Sequence, residues 1–93
     1  MYFEWDPEKA ARNFRKHQVA FSEAATVFGD PSSIASPDPD HSDDEERFIV
    51  IGHSIQRRLL MISHAIRGER IRIISARELT RAERKTYEEE NQN

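Results

Sequence analysis

RFIVIGHSIQRRLLMISHAIRGERIRIISAR, residues 47–77, holds three apolar runs divided by two short polar connections. Phe48 to His53 is nearly continuous apolar, the pattern of a central strand. Arg58 to Ala65 forms a second strand after the polar turn His53-Ser54-Ile55-Gln56-Arg57. Ile71 to Ala76 forms a third, reached through Arg67-Gly68-Glu69, where glycine supplies the positive φ of a hairpin loop. Connections this short leave room only for antiparallel neighbours, so the segment reads as a meander.

Alternation along these strands assigns their faces. Ile71 and Ile73 share one side and, unless a bulge intervenes, Arg70 and Arg72 lie on the other, with Ser75 and Arg77 continuing the isoleucine side as the strand leaves the sheet. Leu60, Ile62 and His64 share a face, as do Leu59, Met61 and Ser63. The expected sheet therefore has a dry face held by helices and a second face bearing arginine. A guanidinium stays charged at any relevant pH and binds phosphate in a bidentate fork, so such a face suits a phosphodiester chain.

Upstream, Tyr2 to Trp5 reads as a short strand. Asp6-Pro7-Glu8 starts a helix to about Lys16-His17: aspartate caps, proline fits the first turn, and glutamate favours the positive dipole end. Ala10, Ala11 and Phe14 are its expected buried stripe, with Arg12, Arg15 and Lys16 facing outward. Ser22 opens a second helix that Gly29 would end as a C-terminal cap. Residues 30–45, DPSSIASPDPDHSDDE, read as an acidic loop with a brief edge strand near Ser33 to Ser36. Downstream, Thr80-Arg81-Ala82-Glu83 is a capping box that starts a last helix to about Glu89, leaving 90–93 as a frayed tail. The order is β-α-α-(β)-β-β-β-α: an α+β fold, its antiparallel sheet packed by helices on one face, in a single domain spanning 1–93.

Composition narrows the function. The chain is 37% apolar and has no cysteine, which leaves a thin core without disulfides or thiolate metal sites. The acidic start MYFEWDPEK lacks the apolar stretch of a signal peptide or membrane span, so a soluble cytoplasmic protein is expected. A formal net charge of −3 hides strong segregation. Residues 1–46 carry four Lys/Arg against eleven Asp/Glu, whereas residues 47–85 carry ten against three. A basic half attracts phosphates whatever the total. Asp38, Asp40, Asp43, Asp44, Glu45 and Glu46 do not form a calcium loop, because the terminal bidentate Glu would fall on Ile49 and the loop glycine is missing. His41 falls in the same loop, which is read as solvated or partner-contacting. G-x-S-x-G, H-E-x-x-H and a Gly-rich phosphate loop are absent, so no cofactor is called for.

Four stretches carry a family resemblance: FEWDPEKAARNFRKH (3–17), FSEAATVFGDP (21–31), DPDHSDDEERFIVIG (38–52) and RIRIISARELTRAERKTYE (70–88). Together they resemble the BrnT family of type II toxins over almost the whole chain, with RIISAR and the tyrosine-bearing helix after it the most distinctive part. The resemblance implies a RelE-like fold and a ribonuclease toxin that arrests growth. It also implies neutralisation by a BrnA-type antitoxin, whose complex with the toxin binds promoter DNA through the antitoxin.

Cleavage of RNA without a metal uses the 2′-hydroxyl as nucleophile. It needs a base, cations for the developing phosphorane charge, and an acid for the leaving oxygen. Candidate proton carriers are His64, His17, Tyr87 and Glu46. Candidate phosphate ligands are Lys16, Arg47, Arg67, Arg70, Arg72, Arg77, Arg81 and Arg84, with Arg77 and Arg81 straddling the Thr80 cap. The competing reading is a non-catalytic module whose basic face grips nucleic acid or an acidic protein.

Overall fold

A computed structural model of the chain describes residues 2–39 and 45–91. The elements run β1 (Tyr2–Glu4), α1 (Pro7–His17), α2 (Phe21–Thr26), a 3-10 turn (Val27–Gly29), β2 (Ile34–Pro37), β3 (Arg47–His53), β4 (Leu59–Arg67), β5 (Arg70–Glu78) and α3 (Arg81–Glu90). The expected α+β order holds. Gly68 sits at φ 63° between β4 and β5, as the hairpin requires. At Thr80 the full capping box forms, the hydroxyl accepting from Glu83 N and the Glu83 carboxylate accepting from Thr80 N.

The sheet order is β1-β5-β4-β3-β2. β2 to β5 pair antiparallel, but β1 returns to lie parallel beside β5, Tyr2 to Glu4 aligning with Arg70 to Arg72. The sheet is therefore mixed. A parallel neighbour needs a long crossover, and here the whole intervening chain supplies it.

Two apolar clusters lie on opposite faces. One joins Val19, Phe21, Ala24 and Val27 to Val50, Leu60, Ile62, Ile73 and Ala76, so α2 and the segments flanking it cover the first face. The other joins Leu79 and Tyr87 to Leu59, with Ile34, Ile51 and Met61 packed against it. The last helix thus covers one end of the second face and leaves the other end open, where the sequence pattern placed all helices on one side. Gly52 belongs to the first face: a Cβ there would meet Ser33 Cβ at 2.9 Å and Asp30 Oδ2 at 3.0 Å.

The amphipathic reading of α1 is corrected. Ala11 and Phe14 are exposed and Ala10 only half-buried, whereas Asn13 is buried. The Asn13 amide donates to Val19 O (3.0 Å) and Ala76 O (2.9 Å), and its oxygen accepts from Ala76 N (3.1 Å). A polar side chain thereby stands in for a neighbouring strand on the outer edge of β5 and sets the rotation of α1. The second helix also differs from expectation. It begins at Phe21 rather than Ser22, with Ala20 as a cap residue that makes no side-chain bond. Gly29 closes a 3-10 turn without adopting positive φ.

Candidate nucleic-acid interface

Strict alternation would put Arg72 and Arg77, five residues apart, on opposite faces. The register of β4 against β5 shifts between Ser63 and His64: Ser63 pairs with Ser75 but His64 with Ile73, leaving Ile74 as the extra residue of a bulge. The bulge moves Ser75 and Arg77 off the isoleucine face and onto the face of Arg72. This corrects the simple periodicity, and it gathers Arg47, Arg72, Ser63, Ser75 and Arg77 on the second face of the sheet.

At the open end of that face, Ala65 is fully buried between its cross-strand neighbours Arg47 and Arg72. The two arginine Cα atoms are two strands apart, roughly 10 Å. The two arginine side chains remain about one-quarter to one-third exposed. Both heads reach one carboxylate oxygen, Glu45 Oε1. Arg72 Nη2 donates to it, and Arg47 Nε lies 3.5 Å away, outside hydrogen-bond geometry. Arg47 Nε and Arg72 Nε are buried and have no hydrogen-bond partner among the described residues. Buried donors of this kind are few in folded proteins. Two cations with spare donors around one carboxylate form an anion seat. Glu45 occupies it as an internal anion with two acceptor oxygens.

The other candidates fall into distinct places. Arg67 and Arg70 extend the basic face at the β4–β5 hairpin, both paired with Glu4 (3.6 and 3.3 Å) and both more than half exposed. Arg77 forks onto Glu83, Nη1 to Oε1 at 2.8 Å and Nη2 to Oε2 at 2.9 Å, and also donates to Met61 Sδ. It thus fastens β5 to the first turn of α3. That fork, with the Thr80 backbone bond, lowers the Glu83 pKa from 4.5 to about 2. Arg81 and Arg84 are exposed on α3. Lys16 and His17 end α1 and line a cleft with Ser75.

His64 is on the first face, away from the arginines, and only 4% exposed. Phe28 meets it edge-on and Phe48 stacks on it, with Nδ1 3.4 Å from Ile62 O. Burial pushes its pKa below the ordinary value. Tyr87 is buried too, its hydroxyl donating to Ser32 O and its own pKa raised by burial. Glu46 is exposed beside Arg47, next to Pro37 and Phe48. The structure therefore brings Arg47 and Arg72 together and leaves His64 and Tyr87 apart from them.

Sequence reading missed three groups. Glu45, rather than Glu46, reaches the arginines. Asn13 gave no signal beyond being a polar residue in a helix. Glu23, buried in α2, takes a forked bond from Arg58 and a hydroxyl bond from Ser54 at 2.7 Å, which locks α2 to the β3–β4 turn. The Arg58 bond holds the Glu23 carboxyl below its usual range despite burial.

Asp40, His41, Asp43 and Asp44 lie outside the described residues. Among the described residues no group of three or more His, Asp or Glu side chains is arranged to hold a metal ion. Among them, too, no helix is long and apolar enough to cross a membrane.

A family model described as the ribonuclease toxin BrnT of type II toxin–antitoxin systems matches residues 5–83. A crystal structure of the Brucella abortus ribonuclease toxin BrnT superposes with a TM-score of 0.64 at 23% sequence identity, covering 87% of this chain and 99% of that one. Comparison with curated proteins finds no match.

Proposed function

The chain belongs to the BrnT family of ribonuclease toxins of type II toxin–antitoxin systems, and from that premise we propose that it cleaves RNA on the open end of its second sheet face. The observation that carries this reading is the seat formed by Arg47 and Arg72. Both arginines reach one Glu45 oxygen, and each keeps a buried Nε donor with no hydrogen-bond partner among the described residues, which matches the need of a phosphodiester for several charge-assisted bonds. In the reaction, the 2′-hydroxyl oxygen forms a bond to phosphorus and the bond from phosphorus to the 5′-oxygen breaks. The products are a 2′,3′-cyclic phosphate and a 5′-hydroxyl. One proton leaves the 2′-hydroxyl and one reaches the 5′-oxygen, so no metal is required.

Arg47 and Arg72 hold the phosphate and stabilise its added negative charge, displacing Glu45 from the seat. Among the four proton-carrier candidates, Glu46 and His17 are the ones open to solvent, Glu46 beside the seat and His17 beside Ser75. Arg67 and Arg70 steer the RNA toward the seat from the hairpin. The protein acts in the cytoplasm, arrests growth, and is neutralised by a BrnA-type antitoxin that covers the basic face or the first helices. Promoter DNA is reached only through that complex.

One observation favours a second reading. No described histidine lies beside Arg47 and Arg72, as in a module that binds nucleic acid or an acidic protein without turnover. Induction in bacteria followed by mapping of RNA ends separates the two. Growth arrest with new 5′-hydroxyl ends supports the nuclease. Arrest without new ends, or neither effect, supports the binding module.

A further inference from the structure

The outer edge of β5 is not continuously covered. β1 pairs with it only across Arg70 to Arg72, and on this strand Asn13 bonds to the Ala76 backbone alone. Ile74, the extra residue of the bulge, and Ser75 face a cleft of about 330 Å³ against α1. Lys9, Arg12, Lys16 and His17 line that cleft opposite Ser75. Spacings of three and four residues put Lys9, Arg12 and Lys16 on one side of α1. Arg12 and Lys16 stand at i, i+4, where like charges repel. In contrast to Arg47, Arg58, Arg67, Arg70, Arg72 and Arg77, none of the three is in an ion pair among the described residues. A concave row of unpaired cations is an electrostatic arrangement waiting for an anion.

Ser75 connects this cleft to the seat. The bulge turns Ser75 onto the face that carries Arg72, three residues away along the same strand. Ser75 thus lies on the path by which a chain of phosphates leaving Arg47 and Arg72 would reach the cations of the cleft. We infer that the α1–β5 cleft is a second phosphate-binding site, taking the backbone of a single-stranded RNA beside the scissile position. This rests on the ribonuclease reading and extends it: the enzyme grips a strand of several nucleotides, not one isolated phosphate.

The test is fluorescence anisotropy with 2′-O-methyl oligoribonucleotides, which the enzyme cannot cleave: one of about twelve nucleotides and a trinucleotide. The wild type and the R12Q/K16Q variant are compared across a salt series, with thermal melts by circular dichroism confirming that the variant is folded. Should R12Q/K16Q fail to fold, K9Q replaces it. The wild type binds the long strand more tightly than the trinucleotide. R12Q/K16Q loses about tenfold for the long strand, and its log–log salt slope flattens by roughly 1.4, two contacts at about 0.7 each. For K9Q the flattening is about 0.7. If wild-type protein cleaves RNA but the substitutions leave both affinity and slope unchanged, the second site is refuted and the nuclease reading stands. If the wild type neither binds nor cleaves RNA, both fall. If the substitutions weaken capture of an acidic antitoxin but not RNA binding, the cleft is a protein site and the inference is overturned.

Discussion

Replacing Asn13 by alanine removes three hydrogen bonds at one stroke: two donated to Val19 O and Ala76 O, and one accepted from Ala76 N. Each typically contributes about 0.5–1.5 kcal/mol net, and a buried group left without a partner costs more than the lost bond. The edge of β5 can admit some water beside Ala76, which limits the penalty. The expected loss is therefore about 3 kcal/mol. For a chain of this size it lowers Tm by roughly 12–24 °C. Asn13→Asp should be no better at neutral pH, because a carboxylate cannot donate to the two carbonyls. Urea unfolding followed by circular dichroism measures the loss, and hydrogen exchange at the Ala76 amide locates it. A variant within about 0.5 kcal/mol of wild type, with Ala76 still protected, would refute the account of how α1 is fixed to the sheet.

Other substitutions test other parts of the structure. Gly52→Ala forces a Cβ to within 2.9 Å of Ser33 Cβ, so it should destabilise by about 1–3 kcal/mol in the same urea assay; an unchanged midpoint contradicts that packing. Glu83 has its folded pKa depressed to about 2, so its fork with Arg77 stabilises fully above pH 4.5 and is lost as pH falls toward 2. With both side chains about one-third exposed, solvent screening limits this to about 1 kcal/mol, and Glu83→Gln should erase that part of the acid dependence. His64→Phe should leave RNA cleavage intact, because its ring sits between Phe28 and Phe48 rather than beside the arginines. Its lowered pKa also means that wild-type stability falls as pH drops below 6.5 through the folded value, a slope the phenylalanine variant lacks. Loss of cleavage in a folded His64→Phe protein would return that histidine to the chemistry.

What the sequence made legible was local. The Thr80–Glu83 box, the positive φ of Gly68 and the three apolar runs are set by neighbours within a few residues, and the structure follows them. What it concealed depends on distant partners. Nothing near Tyr2 announces that it will lie parallel to Arg70, and Asn13 is buried only because Ala76, far along the chain, offers it a bare edge. The bulge at Ile74 adds one residue to a period of two, which is enough to carry Arg77 to the other face. Arg77 was legible as a cation. Its fork with Glu83 was not, since the capping box already accounted for that glutamate. His64 showed the same limit. Alternation correctly placed it with Leu60 and Ile62, and that shared face is what withdraws it from the arginines. Glu45 and Glu46 are chemically equivalent in sequence, and only the path of the chain entering β3 determines which one meets Arg72.

The central claim is that Arg47 and Arg72 hold the reacting phosphate. Its most direct test is the single-turnover cleavage rate of a labelled RNA by purified wild-type and R47Q/R72Q protein, in EDTA and with each fold checked. The account predicts wild-type cleavage that survives EDTA and leaves 2′,3′-cyclic phosphate ends, with a loss of at least about a hundredfold in the variant. A folded R47Q/R72Q protein that cuts RNA as fast as wild type would contradict it.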